Sequence, residues 1–176
     1  ARDITALKQV EKIIHEKEEH LSLAIRHSGI GIWDLNLQTQ ELVWDESMYS
    51  LYNITPDDFT MVSDSWQKSL HPDDLVIAKQ ELQAATSGKM PFNTEFRVIW
   101  PNGEIHIIKA IAKLFRDESG TPVRLLGINT DVTEQREAEV KLKLAASVFA
   151  HAGEGIMITD IEGNIVDVNN TFTLLT

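Results

Sequence analysis

The sequence predicts an α+β protein: a five-stranded antiparallel sheet with short helices on one face, flanked by linker helices. Three observations lead there. Two strand-like stretches, "GIWDLNL" and "ELVWD", stand either side of a turn, a helical insert follows, and three long alternating stretches joined by tight turns come last. With 176 residues, of which 43% are apolar and 24% charged, the chain is large enough to bury a core.

The elements follow in order. Residues 1–28 form a helix in which Leu7, Val10, Ile14, Lys17, Leu21, Ala24 and Ser28 recur at alternating steps of three and four, a coiled-coil seam broken mainly at Lys17. Two chains zipping along that seam is the preferred expectation; an amphipathic helix folded back on its own domain is the other. Within it, His15 and His20 of "HEKEEH" lie five residues apart, about 140° round a helix. A zinc-protease helix needs two histidines four apart on one face, so solvated surface is expected instead.

The first two strands join through Gln38, Thr39 and Gln40 as a hairpin. Thr55-Pro56-Asp57-Asp58 has the cap, proline and acid of a helix start, and "HPDDLVIAKQELQAATSG" runs as a helix from Pro72 towards Gly88. The strands "FNTEFRVIW", "EIHIIKAIAKLF" and "PVRLLGINTDV" are separated by Pro-Asn-Gly and Asp-Glu-Ser-Gly turns. Asp131 and Glu134 have capping-box spacing, and a second linker helix over 134–150 repeats the seam at Ala138, Leu142, Ala145 and Phe149.

The chain also repeats itself. "RDITALKQ" at Arg2 echoes "TDVTEQRE" at Thr130, and "HSGIGI" at His27 returns as "HAGEGI" at His151, an offset of 124 residues that holds without gaps to the last residue. The expected organisation is therefore a linker helix closing a preceding unit (1–28), a complete domain (29–133), a second linker helix (134–150) and the truncated opening of a second domain (151–176). That last piece supplies one hairpin and a helix start, too little to cover Ile156, Ile158, Ile165 and Val168 unaided, so it is expected to dock on another surface.

"HPDD", "EFRVIWPNGEIHIIKAIAKLFRDESGTPVRLLGINTDVTEQ" and "GIMITDIEGNIVDVNN", in that order, resemble PAS domains with their C-terminal PAC portion, and the resemblance covers nearly the whole chain. It implies the PAS fold and a sensory, dimerising module of a signalling protein, with a small molecule or cofactor sometimes held inside. Similarity of the last segment to PAS segments preceding cyclic-dinucleotide enzymes points to a diguanylate cyclase or phosphodiesterase as output, with a histidine kinase next. The competing expectation is a ligand-free spacer that serves only dimerisation and relay.

Strand alternation places the face such a ligand would meet. Trp33, Trp44, Phe96, Val98, Ile108, Ala110, Ala112, Leu125, Gly127 and Asn129 share the helix-covered side with Leu35 and Leu42, and Tyr52 and Trp66 roof it. These twelve, Leu35 and Leu42 apart, are the candidate cofactor-binding residues, the small Ala110, Ala112 and Gly127 leaving a hollow among large neighbours. By the resemblance, Asn129 matches a polar position that touches the flavin ring in flavin-binding relatives. The cofactor stays open: a flavin is compatible with this face, a haem through His71 less so, since His71 precedes Pro72 as a helix-entry residue. Dense packing of helix side chains into the same space is the alternative.

Composition excludes several classes. The net charge of −11, from 27 acids against 16 bases, argues against nucleic acid and anionic membrane as partners. Without cysteine there is no disulfide, thiolate zinc site, cysteine nucleophile or flavin–cysteinyl photochemistry. No phosphate loop, metal cluster or nucleophile elbow is present, so no catalytic residue is assigned. No apolar run approaches the ~20 residues of a membrane span, which suits the cytoplasm, either free or as the cytosolic part of a membrane-anchored parent.

The opposite sheet face carries Ile32, Ile107, Ile111, Leu126 and Ile128 among Lys109 and Lys113. At ~25 cal/mol per Å² such a stripe gains from a cover, and the expected cover is the domain's own N-terminal helix, the same helix of a partner or a partner sheet, each compatible with a homodimer. Ile111→Glu is therefore expected to weaken dimerisation or folding. Unchanged mass in light scattering together with unchanged melting in calorimetry would count against a buried role for this face.

Overall fold

In the computed structural model, residues 2–58 and 62–175 are described, with the side-chain surroundings of 1–6, 18, 21, 26–27 and 58–65 excepted. The side chains of Asp3 and Leu21 thus lie outside the described residues. The chain divides into two units, residues 1–132 and 133–176.

The first unit runs α1 (Arg2–Ser28), β1 (Ile30–Asn36), β2 (Leu42–Trp44), α2 (Glu46–Leu51), a 3₁₀ turn (Pro56–Asp58), α3 (Val62–Ser69), α4 (Pro72–Thr86), β3 (Phe92–Ile99), β4 (Ile105–Arg116) and β5 (Pro122–Asp131). All five strands join one antiparallel sheet in the order β2-β1-β5-β4-β3. The strand made last therefore lies in the middle, paired with the first. Register sets Trp33 opposite Gly127, and Gly127 opposite Ala112, so the small residues lie side by side across β5. Among the described residues, the helix start expected at Thr55 is the 3₁₀ turn Pro56–Asp58. Asn53, at φ 50°, turns the chain out of α2 just before it.

"HPDD" is a clamp between α4 and the sheet. His71 is the N-cap, its Nδ1 accepting the Asp73 N–H at 3.3 Å, and its own N–H donates to the Arg97 carbonyl at 2.8 Å. Asp74 takes Arg97 from three sides: the backbone N–H at 2.8 Å and Nε at 2.9 Å on Oδ2, and Nη2 at 2.6 Å on Oδ1. A carboxylate in the first turn also complements the helix dipole. His15 and His20 are exposed on α1, with His15 3.5 Å from Glu19, as expected of solvated surface.

Two apolar surfaces of this unit stay open among the described residues. On α1, Ile14 is 51% exposed and Leu7, Val10 and Leu23 more so, so α1 does not fold back over its own sheet. On the outer sheet face Ile32, Ile128 and Ile111 form a row across β1, β5 and β4, with Ile111 41% and Ile128 39% exposed.

The second unit holds α5 (Thr133–His151), the hairpin β6 (Met157–Thr159) and β7 (Ile165–Val168), and α6 (Asn170–Leu175). It repeats the opening of the first with the 124-residue offset. In the first, the Asp45 N–H donates to Ile32 O at 3.0 Å and Asp45 Oδ1 caps α2 by accepting the Met48 N–H at 2.8 Å. In the second, the Asn169 N–H donates to Ile156 O at 3.0 Å and Asn169 Oδ1 accepts the Phe172 N–H at 2.9 Å. Pairing keeps step at Met157↔Val168 and Ile158↔Asp167, then slips to Thr159↔Ile165. The slip absorbs a tighter turn in which Gly163 takes a left-handed φ of 88°. On α5 the apolar Val140, Leu142, Leu144 and Val148 are exposed, Leu142 by 73%.

The Arg97 bonds hold the Asp74 carboxyl below its ordinary value. A carboxyl so depressed adds stability at pH values above its unfolded value of 3.8, and that contribution fades as pH falls towards the lower folded value. Asp74→Asn is accordingly expected to cost about 1–3 kcal/mol at pH 7 and far less near pH 3. Urea denaturation of both forms at the two pH values measures this; an equal deficit at both would mean that the charge is not what holds α4.

Candidate functional site

The inner sheet face and the helices over it enclose the core. Trp33, Trp44, Tyr52, Phe96, Val98, Ile108, Ala110, Leu125, Gly127 and Asn129 are buried there, and Trp66 and Ala112 pack half-buried against them. Period-two alternation thus assigned this face correctly. Within the core lies a cavity of about 50 Å³ whose wall includes six of the twelve candidates, Trp33, Trp44, Trp66, Phe96, Ala110 and Asn129. Tyr52 reaches the site through Asn129. Val98, Ile108 and Gly127 pack beside the cavity without lining it, and Ala112 and Leu125 face a separate surface groove beside Gly88 and Arg116. The wall also includes Phe92, Met48 and Leu82, which were not among the candidates. Phe92 was legible, four residues before Phe96 on the same strand face. Met48 and Leu82 were not, because their aim onto the sheet depends on how α2 and α4 dock.

What fills the hollow is Trp33. A methyl group at Gly127 would lie 2.2 Å from the Trp33 ring, so the indole rests directly on the glycine backbone. Its Nε1–H donates to Asn129 Oδ1 at 2.8 Å, and Asn129 Nδ2–H donates to the Tyr52 hydroxyl at 3.1 Å. Burial pushes the Tyr52 phenol up from its usual value, against the opposing pull of its bonds to Asn129 and Trp66, and the group stays a neutral hydroxyl. Edge-to-face contacts of Trp33 with Phe92 and of Trp66 with Phe96, each with centroids 5.9 Å apart, complete the packing. Among the described residues no buried side-chain nitrogen or oxygen lacks a partner.

These residues do not fit a flavin or a haem in this arrangement. A cavity of about 50 Å³ falls well short of the roughly 300–1,000 Å³ of ordinary small-molecule sites. Asn129, matched by resemblance to a flavin contact, has both ends of its amide engaged by Trp33 and Tyr52. His71, the haem candidate, serves as the α4 cap.

A second constellation joins the cavity roof to the end of the sheet. Trp100 Nε1–H donates to the carbonyl of Leu51, the last residue of α2, at 3.0 Å. Its ring stacks on His106, with centroids 3.6 Å apart and planes 13° from parallel. His106 Nδ1 lies 2.7 Å from Asp131 Oδ2, and the Val132 N–H donates to Ile107 O at 2.9 Å, holding the chain to β4 up to the residue before α5. Asp131 thus stands two residues ahead of that helix with its carboxylate on His106. Sequence reasoning missed Trp100 and His106 although both lie in the stretch that carries the resemblance, since their meeting depends on how β3, β4 and α2 come together.

Residues 41–129, half of the chain, match the family described as the PAS fold. Over 138 residues, 77% of the chain, it is 33% identical to the probable diguanylate cyclase DgcE of Escherichia coli. Over 125 residues, 71% of the chain, it is 32% identical to the sensor protein FixL of Bradyrhizobium diazoefficiens. The chain spans 12% of the first relative and 25% of the second. Among solved structures, a sensory box histidine kinase/response regulator from Burkholderia thailandensis superposes with a TM-score of 0.58 at 23% identity, covering 72% of this chain and 95% of that one. The N-terminal domain of a diguanylate cyclase with PAS/PAC sensor from Marinobacter aquaeolei gives 0.55 at 18% identity, covering 61% and 98%. At those identities the superpositions speak for the fold alone.

Asn129→Ala would leave the Trp33 N–H and the Tyr52 hydroxyl short of a buried partner. The expected cost is about 2–4 kcal/mol, read by denaturation, with a change in tryptophan emission. A loss below about 1 kcal/mol would mean that the network does not hold the interior shut.

Proposed function

This chain belongs to the PAS fold family, and from that premise we propose that it relays the state of its inner cavity to an output domain through α5, as a homodimer. As a PAS sensory domain it acts in signal transduction. The observation that carries the relay is the line Leu51–Trp100–His106–Asp131, which runs from the helix above the cavity to the residues preceding α5. A ligand moves such an equilibrium only if it binds the two states unequally. Displacement of α2 would pull on the Leu51 carbonyl, and the stack would pass that pull to Asp131.

Dimerisation is supported by the exposed apolar side chains on α1 and α5, such as Val10, Ile14, Leu142 and Val148, and by Ile111 and Ile128 in the row they form with Ile32. The matching hydrogen bonds at Asp45 and Asn169 support reading residues 133–176 as a linker helix and the opening of a second PAS copy. The relatives support a cyclic-di-GMP enzyme as the favoured output, with a histidine kinase next. No helix among the described residues is long and apolar enough to cross a membrane, and a cytoplasmic site of action is part of the proposal. A second reading, a ligand-free spacer for dimerisation and relay, is favoured by one observation: Trp33 already occupies the space above Gly127.

Asp131→Asn separates relay from fold. It should cost about 1 kcal/mol of stability yet uncouple the output activity of the full-length parent from its input, measured as product formed with and without stimulus. Unaltered regulation in a folded variant would contradict the relay.

A further inference from the structure

The cavity limits what a ligand can be, and this inference rests on the relay reading above. At about 50 Å³ it is far smaller than the roughly 300–1,000 Å³ of ordinary small-molecule sites. Its wall is aromatic and aliphatic, with no charged side chain, and its one amide, Asn129, is engaged at both ends. An ion entering would give up its hydration for nothing. A hydrogen-bonding molecule would compete with Trp33 and Tyr52 for that amide, and water would find few of the two to four polar partners that hold it in a buried site. What remains favourable is dispersion against the rings of Trp44, Trp66 and Phe96 and the methyl of Ala110.

We infer that the inner cavity takes a small neutral apolar molecule, and that charged metabolites and large planar cofactors are rejected. Ala110, 1% exposed and on the cavity wall, is a position where a larger side chain would enter the space.

Xenon, flavin mononucleotide and acetate are the probes, each titrated into the isotope-labelled 176-residue chain while proton–nitrogen spectra are recorded. Xenon is expected to give saturable shifts at the Trp33 and Trp66 indole N–H and the Asn129 side-chain amide. The other two should leave them unmoved. Ala110→Leu should abolish the xenon shifts while keeping a native spectrum, with Leu82→Phe as the second filling variant should the first not fold. Absence of saturable xenon shifts, their survival in a folded filled variant, or shifts of these groups by flavin mononucleotide or acetate would overturn the inference. Shifts at the cavity with none at Val132 or the first turn of α5 would support the ligand class and count against the relay. A cavity silent to xenon, with α5 resonances that move in Trp100→Leu, would do the reverse.

Discussion

The rest of the structure depends on how closely the Trp33 indole approaches β5. Only a residue without a side chain lets the ring lie on the strand, and Gly127 is opposite Trp33 in register. Seated there, the indole N–H meets Asn129, and Asn129 meets Tyr52 beyond the end of α2. One contact therefore ties the first strand to the last, and the sheet to the helices above it. Joining β1 to β5 across about ninety residues carries a loop-closure cost, which the buried aromatic cluster offsets. The same contact explains why three small residues do not leave a large hollow: the neighbour that they accommodate is already in place.

Polar groups then distribute the load at the margins. The Asp74–Arg97 clamp fixes the start of α4 against β3, and the Trp100–His106–Asp131 line fixes the end of α2 against the end of β5. Among the described residues the interior polar side chains are satisfied, whereas apolar side chains line the outer sheet face and the long helices. Apolar surface left open in this way supports the proposed dimer. The contrast is why a dimerising role is attached to the helices and outer face, and a sensing role to the interior.

Much of this was legible in the residues. Alternation fixed the inner face, because a one-residue slip in any strand would have turned Trp33 or Ile108 to solvent. The repeat offset anticipated the second hairpin and its capping residue, since Asp45 and Asn169 offer the same acceptor to the same position. Less legible were contacts made between elements. Nothing local says that Trp33 would lie on Gly127 and fill the space, that Met48 and Leu82 would aim at it from their helices, or that His106 would stack on Trp100 and meet Asp131. The spacing of Asp131 and Glu134 suggested a capping box, while α5 begins at Thr133 and the Asp131 carboxylate reaches His106 across the sheet.

The central claim is that the closed interior and the chain leading into α5 form one mechanical unit. Native-state hydrogen exchange tests it most directly, by comparing the opening free energy of the Val132 amide, bonded to Ile107, with those of Gly127 and Asn129 in the middle of β5. The account predicts that all three open together, at one free energy with one dependence on denaturant. A Val132 amide that opens independently at markedly lower free energy, while β5 stays closed, would contradict it.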